Sequence, residues 1–191
     1  MSSADPRERS QGFAAVLTDV ARRSIACGVE TGRPLEVDPV AFSPDLRKLR
    51  ATFVTLRRNA ALRGCIGSLR PRSPLVVSVA ENAYRAAFRD PRFPPLPPHE
   101  IADLEVEISL IGPLEKVAVR SEDDLLARLR PGIDGVVLWN GSQSGTFLPA
   151  VWKDLPDPAI FLRALKRKAG LPEEAWPDGM EVHRFTADRV A

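Results

Sequence analysis

Cysteine and histidine are scarce in this sequence, and their scarcity excludes several kinds of site. The 191 residues include two cysteines and two histidines. Two thiols cannot build a disulfide framework, and the opening segment MSSADPRERS is too polar for a secretory signal. We therefore expect free thiols and a cytosolic protein. Two histidines and two scattered cysteines also exclude a zinc site of the usual all-nitrogen or all-sulfur type.

Long apolar runs and phosphate-binding motifs are lacking as well. No run of about 20 apolar residues occurs, so the sequence predicts no membrane-spanning helix. It has no glycine-rich phosphate loop and no dinucleotide-binding fingerprint. The stretch from Gly141 to Gly145 is not a nucleophile elbow, because its middle residue is Gln143. The hydrophobic content of 44% and the charged content of 27% indicate an ordinary globular protein of one domain, residues 1–191.

The periodicity that is present predicts an α+β fold, with a mainly antiparallel sheet and flanking helices. A first helix is expected to start at Pro6, capped by Asp5, and to end near Cys27. The pattern predicts further helices over 74–89, capped by Ser73, over 121–129 and over 157–169. It predicts strands over 51–56, 62–69, 104–110, 135–139, 145–148 and 180–185.

Charge is unevenly distributed along the chain. Residues 1–100 carry 16 basic and 10 acidic side chains, a net charge of +6, whereas the remainder carries −4. Between Leu46 and Ala80 there are eight basic residues and no acidic one. Such a face attracts a phosphate, a carboxylate or a nucleic-acid backbone, although an ordinary solvated face has the same composition.

The segment from Leu62 to Ser68, LRGCIGS, is unusual for a strand because it holds Gly64 and Gly67. Glycine inside a strand indicates a bulge or the close approach of another backbone or a ligand. In a regular strand Arg63 and Cys65 would share one face, roughly 6.6 Å apart at Cα. A guanidinium at that distance favours the thiolate, and the two glycines would leave room for a small substrate.

Three interpretations of Cys65 remain open at this point: a reactive thiol, a residue lining a ligand pocket, and ordinary packing. Neither histidine is near it in sequence to act as a base. Glu107 is a candidate acid or base, or a partner of Arg63, if the polar face of its strand meets the Arg63 face. Simple solvent exposure of Glu107 is the alternative.

The segment Asp90-Pro91-Arg92-Phe93 is a second candidate. Asp90 is expected to accept backbone hydrogen bonds at the turn, and Arg92 to pair with Asp90 or to bind an anion. A purely structural ion pair is the alternative. A proline-rich connector follows, with five prolines between Pro91 and Pro98.

These segments together resemble the AMMECR domain family. The resemblance rests on LRGCIGSL, AAFRDPRFPPL, LEVEISLI, GVVL, TFLPAVW and FLRALKRKAGL, which occur in the family's order between about Phe13 and Phe185. The resemblance implies two unequal lobes with a cleft between them, to which the LRGCIG strand contributes. It also implies partners, a Memo-like protein and a radical S-adenosylmethionine enzyme. Ala150 departs from the family, which often has glutamine there.

Two functions follow as expectations. In the first, the cleft binds a small anionic or polar ligand. The expected binding residues are Arg63 and Arg92, which hold the anion, Gly64 and Gly67, which let it approach the backbone, and Asp90. The reactive candidates are Cys65 and Glu107. In the second, the chain is a non-catalytic module whose basic first half binds RNA or an acidic protein partner. The sequence identifies no cofactor and does not decide whether a reaction is catalysed.

Overall fold

The computed structural model describes residues 6–191, with side chains from residue 11 onward. Asp5, the predicted cap of the first helix, lies outside the described residues. The chain divides into two compact units. The first consists of Met1–Ile111 with Asp188–Ala191, and the second of Gly112–Ala187. The fold is α+β, as predicted from the alternation of helical and strand patterns.

The first unit packs two long helices on one face of an antiparallel sheet. Its helices are α1 (Pro6–Thr31), α2 (Pro44–Arg47) and α3 (Leu75–Phe88), and its strands are β1 (Ala51–Arg58), β2 (Ala61–Gly67) and β3 (Leu104–Ile111). A short 3-10 helix, Pro98–Asp103, leads into β3. A last strand, β8 (Ala187–Arg189), closes the sheet order β2-β1-β3-β8.

Strand alternation decides which face of this sheet is covered. Val54 and Leu56 on β1 and Ile108 on β3 are fully buried and join the core formed with α1 and α3. The intervening residues of β1 point to the opposite face and are only half-buried. We call this second side of the sheet the open face, since it lies opposite α1 and α3.

A two-residue turn joins β1 to β2. Asn59 and Ala60 both have positive φ, 51° and 62°, which is the left-handed pair that a type I′ hairpin turn requires. Asparagine tolerates this conformation, whereas alanine brings its Cβ too close to the backbone, at a cost of about 1–2 kcal/mol. The turn at Ala60 is therefore a strained point in an otherwise regular hairpin.

Replacing Ala60 by glycine is expected to stabilise the protein by about 0.5–1 kcal/mol, because relief of the strain exceeds the extra chain entropy of glycine. The measurement is the free energy of unfolding in urea. Ala61→Gly is the matched control, since Ala61 begins β2 and glycine there is expected to destabilise. A destabilising Ala60→Gly would contradict the assignment of strain to this residue.

The second unit is built on the sheet β4-β7-β5-β6. Its strands are β4 (Glu115–Val117), β5 (Gly135–Asn140), β6 (Gln143–Phe147) and β7 (Glu181–Phe185), and its helices are α4 (Glu122–Leu126) and α5 (Pro158–Ala169). Trp152 and Phe161 stack face to face in its core, with ring centroids 3.7 Å apart. Lys166 is fully buried and is neutralised by Glu122, with its Nζ 2.6 Å from the carboxylate.

Some predicted boundaries are wrong. Helix α3 begins one residue later than expected, and its capping position is Pro74, with no side-chain cap from Ser73. The three-residue strands β4 and β8 were not expected, because a run of three residues carries no readable periodicity. No helix within residues 6–191 is both long and apolar enough to cross a membrane.

Candidate functional site

The register of the first sheet places Cys65, Thr55 and Glu107 in one row. Thr55 on β1 lies directly opposite Cys65 on β2 and directly opposite Glu107 on β3. Directly opposed residues of antiparallel strands project from the same face of the sheet. That face is the open face, since Val54 and Leu56 on either side of Thr55 point into the core. All three residues of this Cys65 row are half-buried.

Hydrogen bonds give each member of the Cys65 row a fixed partner. The hydroxyl of Thr55 donates to Sγ of Cys65 at 3.2 Å. Arg57 donates from Nε to Oε1 of Glu107 at 3.1 Å, and Nη2 of Arg189 lies 3.5 Å from the same oxygen. Two strand spacings, about 10 Å, separate the backbones of Cys65 and Glu107. The thiol therefore meets a hydroxyl, and the carboxylate meets two guanidinium groups.

An ion pair between the buried carboxylate of Asp90 and the exposed guanidinium of Arg92 holds the backbone of Cys65. Because β2 is an edge strand, the peptide groups of Cys65 that point away from β1 have no strand partner. Its N–H donates to Oδ2 of Asp90 at 2.9 Å, and its carbonyl oxygen accepts from Nη2 of Arg92 at 3.2 Å. Arg92 also donates from Nη2 and Nε to the two carboxylate oxygens of Asp90, at 2.7 and 2.9 Å. We call this pair the Asp90–Arg92 clamp.

The electrostatics of the clamp favour the ionised carboxylate. The side chain of Asp90 is only 2% exposed. Burial by itself raises the pKa of Asp90, but hydrogen bonds from Arg92 and from the Cys65 N–H outweigh burial and lower the pKa from 3.8 to about 2. The side-chain hydrogen bond between Arg92 and Asp90 also raises the pKa of Arg92. The predicted ion pair between Asp90 and Arg92 is therefore present, and so is the predicted turn hydrogen bond from the backbone of Arg92 to Asp90.

A β-bulge interrupts the pairing of β2 with β1 at Arg63. The partner of Leu56 is Gly64 and the partner of Arg57 is Leu62, so the pairing skips Arg63. An extra residue in one strand breaks the two-residue alternation of side chains. The expectation of a regular strand is therefore wrong at this position.

The contacts of Arg63 follow from the bulge. Its Nε donates to Oε2 of Glu100 at 2.8 Å, and Arg58 donates to the other oxygen of Glu100 at 3.1 Å. Neither Cys65 nor Glu107 is a hydrogen-bond partner of Arg63 among residues 11–191. The predicted pairing of Arg63 with Glu107 is therefore wrong, because Arg63 pairs with Glu100. Nη1 of Arg63 is buried and has no acceptor among the described side chains and backbone.

The space predicted beside the two glycines is filled by the protein itself. A Cβ added to Gly64 would lie 2.1 Å from the carbonyl oxygen of Ala86 in α3. A Cβ added to Gly67 would lie 2.3 Å from both the ring of Phe53 and the carbonyl oxygen of Thr52. Of the alternatives open at the sequence level, close approach of another backbone therefore explains Gly64. The prediction that these glycines leave room for a small substrate is wrong on the side that a Cβ would occupy.

Sequence reasoning missed Thr55, Arg57 and Glu100. The sequence pattern marks Thr55 only as a strand residue, although its alternation with Val54 and Leu56, which are buried, puts it on the open face. Strand pairing then aligned it with Cys65, which a single sequence does not reveal. Glu100 gave no signal, because it lies in a proline-rich connector and its partners are 37 and 42 residues away.

Comparison with known proteins assigns the chain to a family. The family model described as AMMECR1 matches residues 18–190. The chain belongs to the AMMECR1 family. A protein of Methanothermobacter thermautotrophicus is 36% identical to this AMMECR1 chain over 184 residues, covering 95% of this chain and 94% of the relative. A protein of Thermococcus gammatolerans is 38% identical over 183 residues, covering 90% and 86%.

A solved structure shares the AMMECR1 fold. The crystal structure of the uncharacterized protein PH0010 from Pyrococcus horikoshii superposes with a TM-score of 0.82 at 36% identity, covering 90% of this chain and 87% of that one. The α+β architecture predicted from sequence is thereby confirmed for the family member described here.

Proposed function

We propose that this AMMECR1-family protein binds a small polar ligand at the Cys65 row, on the open face of its first sheet. The observation that carries the proposal is the clamp. The buried carboxylate of Asp90 and the guanidinium of Arg92 both bind the peptide groups of one residue, Cys65, in an edge strand. Holding a side chain by fixing its backbone is how a binding site is made rigid.

The donors and acceptors of the row favour a polar ligand over a strongly anionic one. Arg63 and Arg92, the guanidinium groups expected to hold an anion, are paired with Glu100 and Asp90. The row itself offers a thiol, a hydroxyl and a carboxylate, all half-buried. A ligand with hydroxyl or amide groups satisfies this set, whereas a dianion would meet the carboxylate of Glu107.

The contacts also favour a binding role for Cys65 over nucleophilic catalysis. The hydrogen-bond partner of its sulfur within residues 11–191 is the hydroxyl of Thr55, which donates to sulfur and does not remove its proton. Glu107 is two strands away and is engaged by Arg57. Cys65 therefore acts in our proposal as a lining residue, and Asp90 and Arg92 act as its positioning residues.

Alkylation of the two cysteines tests the proposal. Cys27 is a matched control, since it is also half-buried and its sulfur also lies near a threonine hydroxyl, that of Thr31, at 3.5 Å. Iodoacetamide labelling is followed by mass spectrometry in Cys27→Ser and Cys65→Ser proteins, with amino acids, sugars, nucleosides and dicarboxylates each added at 1 mM. We expect amino acids, sugars or nucleosides to slow labelling of Cys65 at least fivefold and dicarboxylates not to slow it, with labelling of Cys27 unchanged throughout.

Two results would overturn the binding proposal. In the first, no class protects Cys65 although the reagent reaches the thiol. In the second, protection persists undiminished in Thr55→Val, which removes the hydroxyl from the centre of the row. If the labelling rate of Cys65 rises at a pH well below the pH at which the labelling rate of Cys27 rises, the result would instead support the nucleophilic interpretation.

The partner prediction rests on the family resemblance alone. The resemblance supports action together with a Memo-like protein and a radical S-adenosylmethionine enzyme. Co-purification of this chain with those two proteins, expressed together, is the direct measurement for the partner prediction.

A further inference from the structure

The basic run between Leu46 and Ala80 separates into two groups in the structure. One group is ion-paired with carboxylates of the same unit: Lys48, Arg57, Arg58 and Arg63. The other group is exposed and forms no ion pair with any residue whose side chain the structure describes: Arg47, Arg50, Arg70 and Arg72. We call this second group the arginine cluster.

Strand pairing brings the members of the cluster to one end of the first sheet. Beyond β2, the N–H of Ser68 donates to the carbonyl oxygen of Thr52 at 3.0 Å. Further along, Leu49 forms an antiparallel bridge with Pro74. Residues 69–73 are therefore held at both ends and run beside the backbone that leads into β1.

This pairing places three arginines together. Arg50 lies between Leu49 and Thr52, and Arg70 and Arg72 lie on the connecting segment beside it. The Cα atoms of Arg70 and Arg72 are at most about 7 Å apart, because two residues span no more than that. Arg47 ends α2, three residues before Arg50.

The cluster carries a positive charge that is paired with no carboxylate among the side chains of residues 11–191. No acidic residue occurs between Leu46 and Ala80, and the preceding Asp45 is 2.7 Å from Nζ of Lys48. Four arginines on two adjacent backbone segments raise the local positive potential, so binding of an anion is favoured there. Because the group extends over two adjacent segments, an anion of several charges fits it better than a single ion does.

The side-chain types indicate which polyanion. All four are arginines, whose planar forks match phosphate oxygens in bidentate fashion. Phe53 is the one aromatic residue between Leu46 and Ala80, it is half-buried, and its ring covers Gly67. Contact with phosphates is therefore favoured, and stacking on bases is not. We propose that the arginine cluster binds the phosphodiester backbone of a nucleic acid without reading its base sequence.

Salt dependence is the sharpest test, because each phosphate contact contributes a known slope. Fluorescence anisotropy is measured with a labelled 20-nucleotide single-stranded RNA, with DNA of the same sequence and with a polyglutamate peptide, from 25 to 300 mM salt. Four contacts predict a slope of log affinity against log salt of about −3 for a single strand. Arg70→Gln with Arg72→Gln is expected to reduce that slope by about 1.4, and to weaken binding at least tenfold at low salt.

The matched control removes the same charge elsewhere. Arg120→Gln with Lys153→Gln changes two exposed residues of the second unit and is expected to leave the slope unchanged. Binding of RNA or DNA with the expected slopes supports the proposal, and the two arms tell which backbone is preferred. Absence of binding at 25 mM salt, an equal effect of the control pair, or tighter binding of polyglutamate would overturn it.

The inference is independent of the proposed function. The arginine cluster shares no residue with the Cys65 row or the Asp90–Arg92 clamp. Loss of nucleic-acid binding would therefore leave protection of Cys65 untouched, and the two experiments fail separately.

Discussion

Gly64→Ala is expected to destabilise the protein by at least about 3 kcal/mol, or to prevent folding. The added Cβ would lie 2.1 Å from the carbonyl oxygen of Ala86 and 2.9 Å from its carbonyl carbon. These are backbone atoms of α3, which cannot move aside as the end of a flexible side chain can. Overpacking that forces a backbone shift belongs to the costliest class of substitution. The measurement is the free energy of unfolding in urea.

Gly12→Ala is the matched control for this substitution. Gly12 lies within α1, and a Cβ added there meets nothing within 4 Å. Alanine is the better helix former, so we expect Gly12→Ala to be neutral or stabilising by up to about 1 kcal/mol. If Gly64→Ala unfolds at the same urea concentration as the wild type, helix α3 does not approach β2 as closely as described here.

Removal of the Asp90 carboxylate has the second largest expected effect. Asp90→Ala leaves the N–H of Cys65 and the half-exposed guanidinium of Arg92 without their acceptor, which costs about 3 kcal/mol. Asp90→Asn keeps one acceptor oxygen and is expected to cost less, about 2 kcal/mol. Asp19→Asn is the control, because the ion pair of Asp19 with Arg23 is exposed and contributes at most about 1 kcal/mol.

The same carboxylate gives stability a defined pH dependence. Its pKa falls from 3.8 to about 2 on folding, so the unfolded chain binds the proton more readily. The contribution is complete above pH 3.8 and disappears as the pH falls through about 2, and its size is about 2 kcal/mol. Urea unfolding between pH 2 and pH 7 should show this acid loss in the wild type and a weaker loss in Asp90→Asn. Parallel profiles would contradict the assignment to Asp90.

Local patterns in the sequence predicted the elements of the fold well. The alternation of Leu104, Ile108 and Leu110 identified β3, and those residues are buried as expected. Asp157 and Gly170 marked the two ends of α5, and both cap it. Such signals depend on neighbours in the chain, which is why one sequence suffices to find them.

The site was predicted less completely, because its contacts join distant segments. The DPRF and LRGCIG segments do meet, since Asp90 and Arg92 bind the backbone of Cys65. What failed was the assumption of a regular strand through Arg63. A bulge depends on the register of the partner strand, so it is invisible in the segment itself.

The two glycines of the LRGCIG segment indicated close packing without identifying the group that packs against them. The pair Gly64 and Gly67 correctly indicated something unusual, but a missing Cβ does not reveal what occupies its place. Here the occupants are a helix carbonyl and a phenyl ring of the same unit. A ligand and a packed backbone leave the same mark on a sequence, and coordinates are needed to separate them.

The Asp90–Arg92 clamp also affects whether the edge strand β2 can pair with a strand of a second molecule. An edge strand with free N–H and C=O groups is a template for a strand from a second molecule, and hence a starting point for aggregation. On β2 the bulge at Arg63 interrupts that template, and Asp90 with Arg92 occupies it at Cys65. Protonation of Asp90 at strongly acidic pH would weaken its ion pair with Arg92, and would therefore weaken the protection of this strand edge.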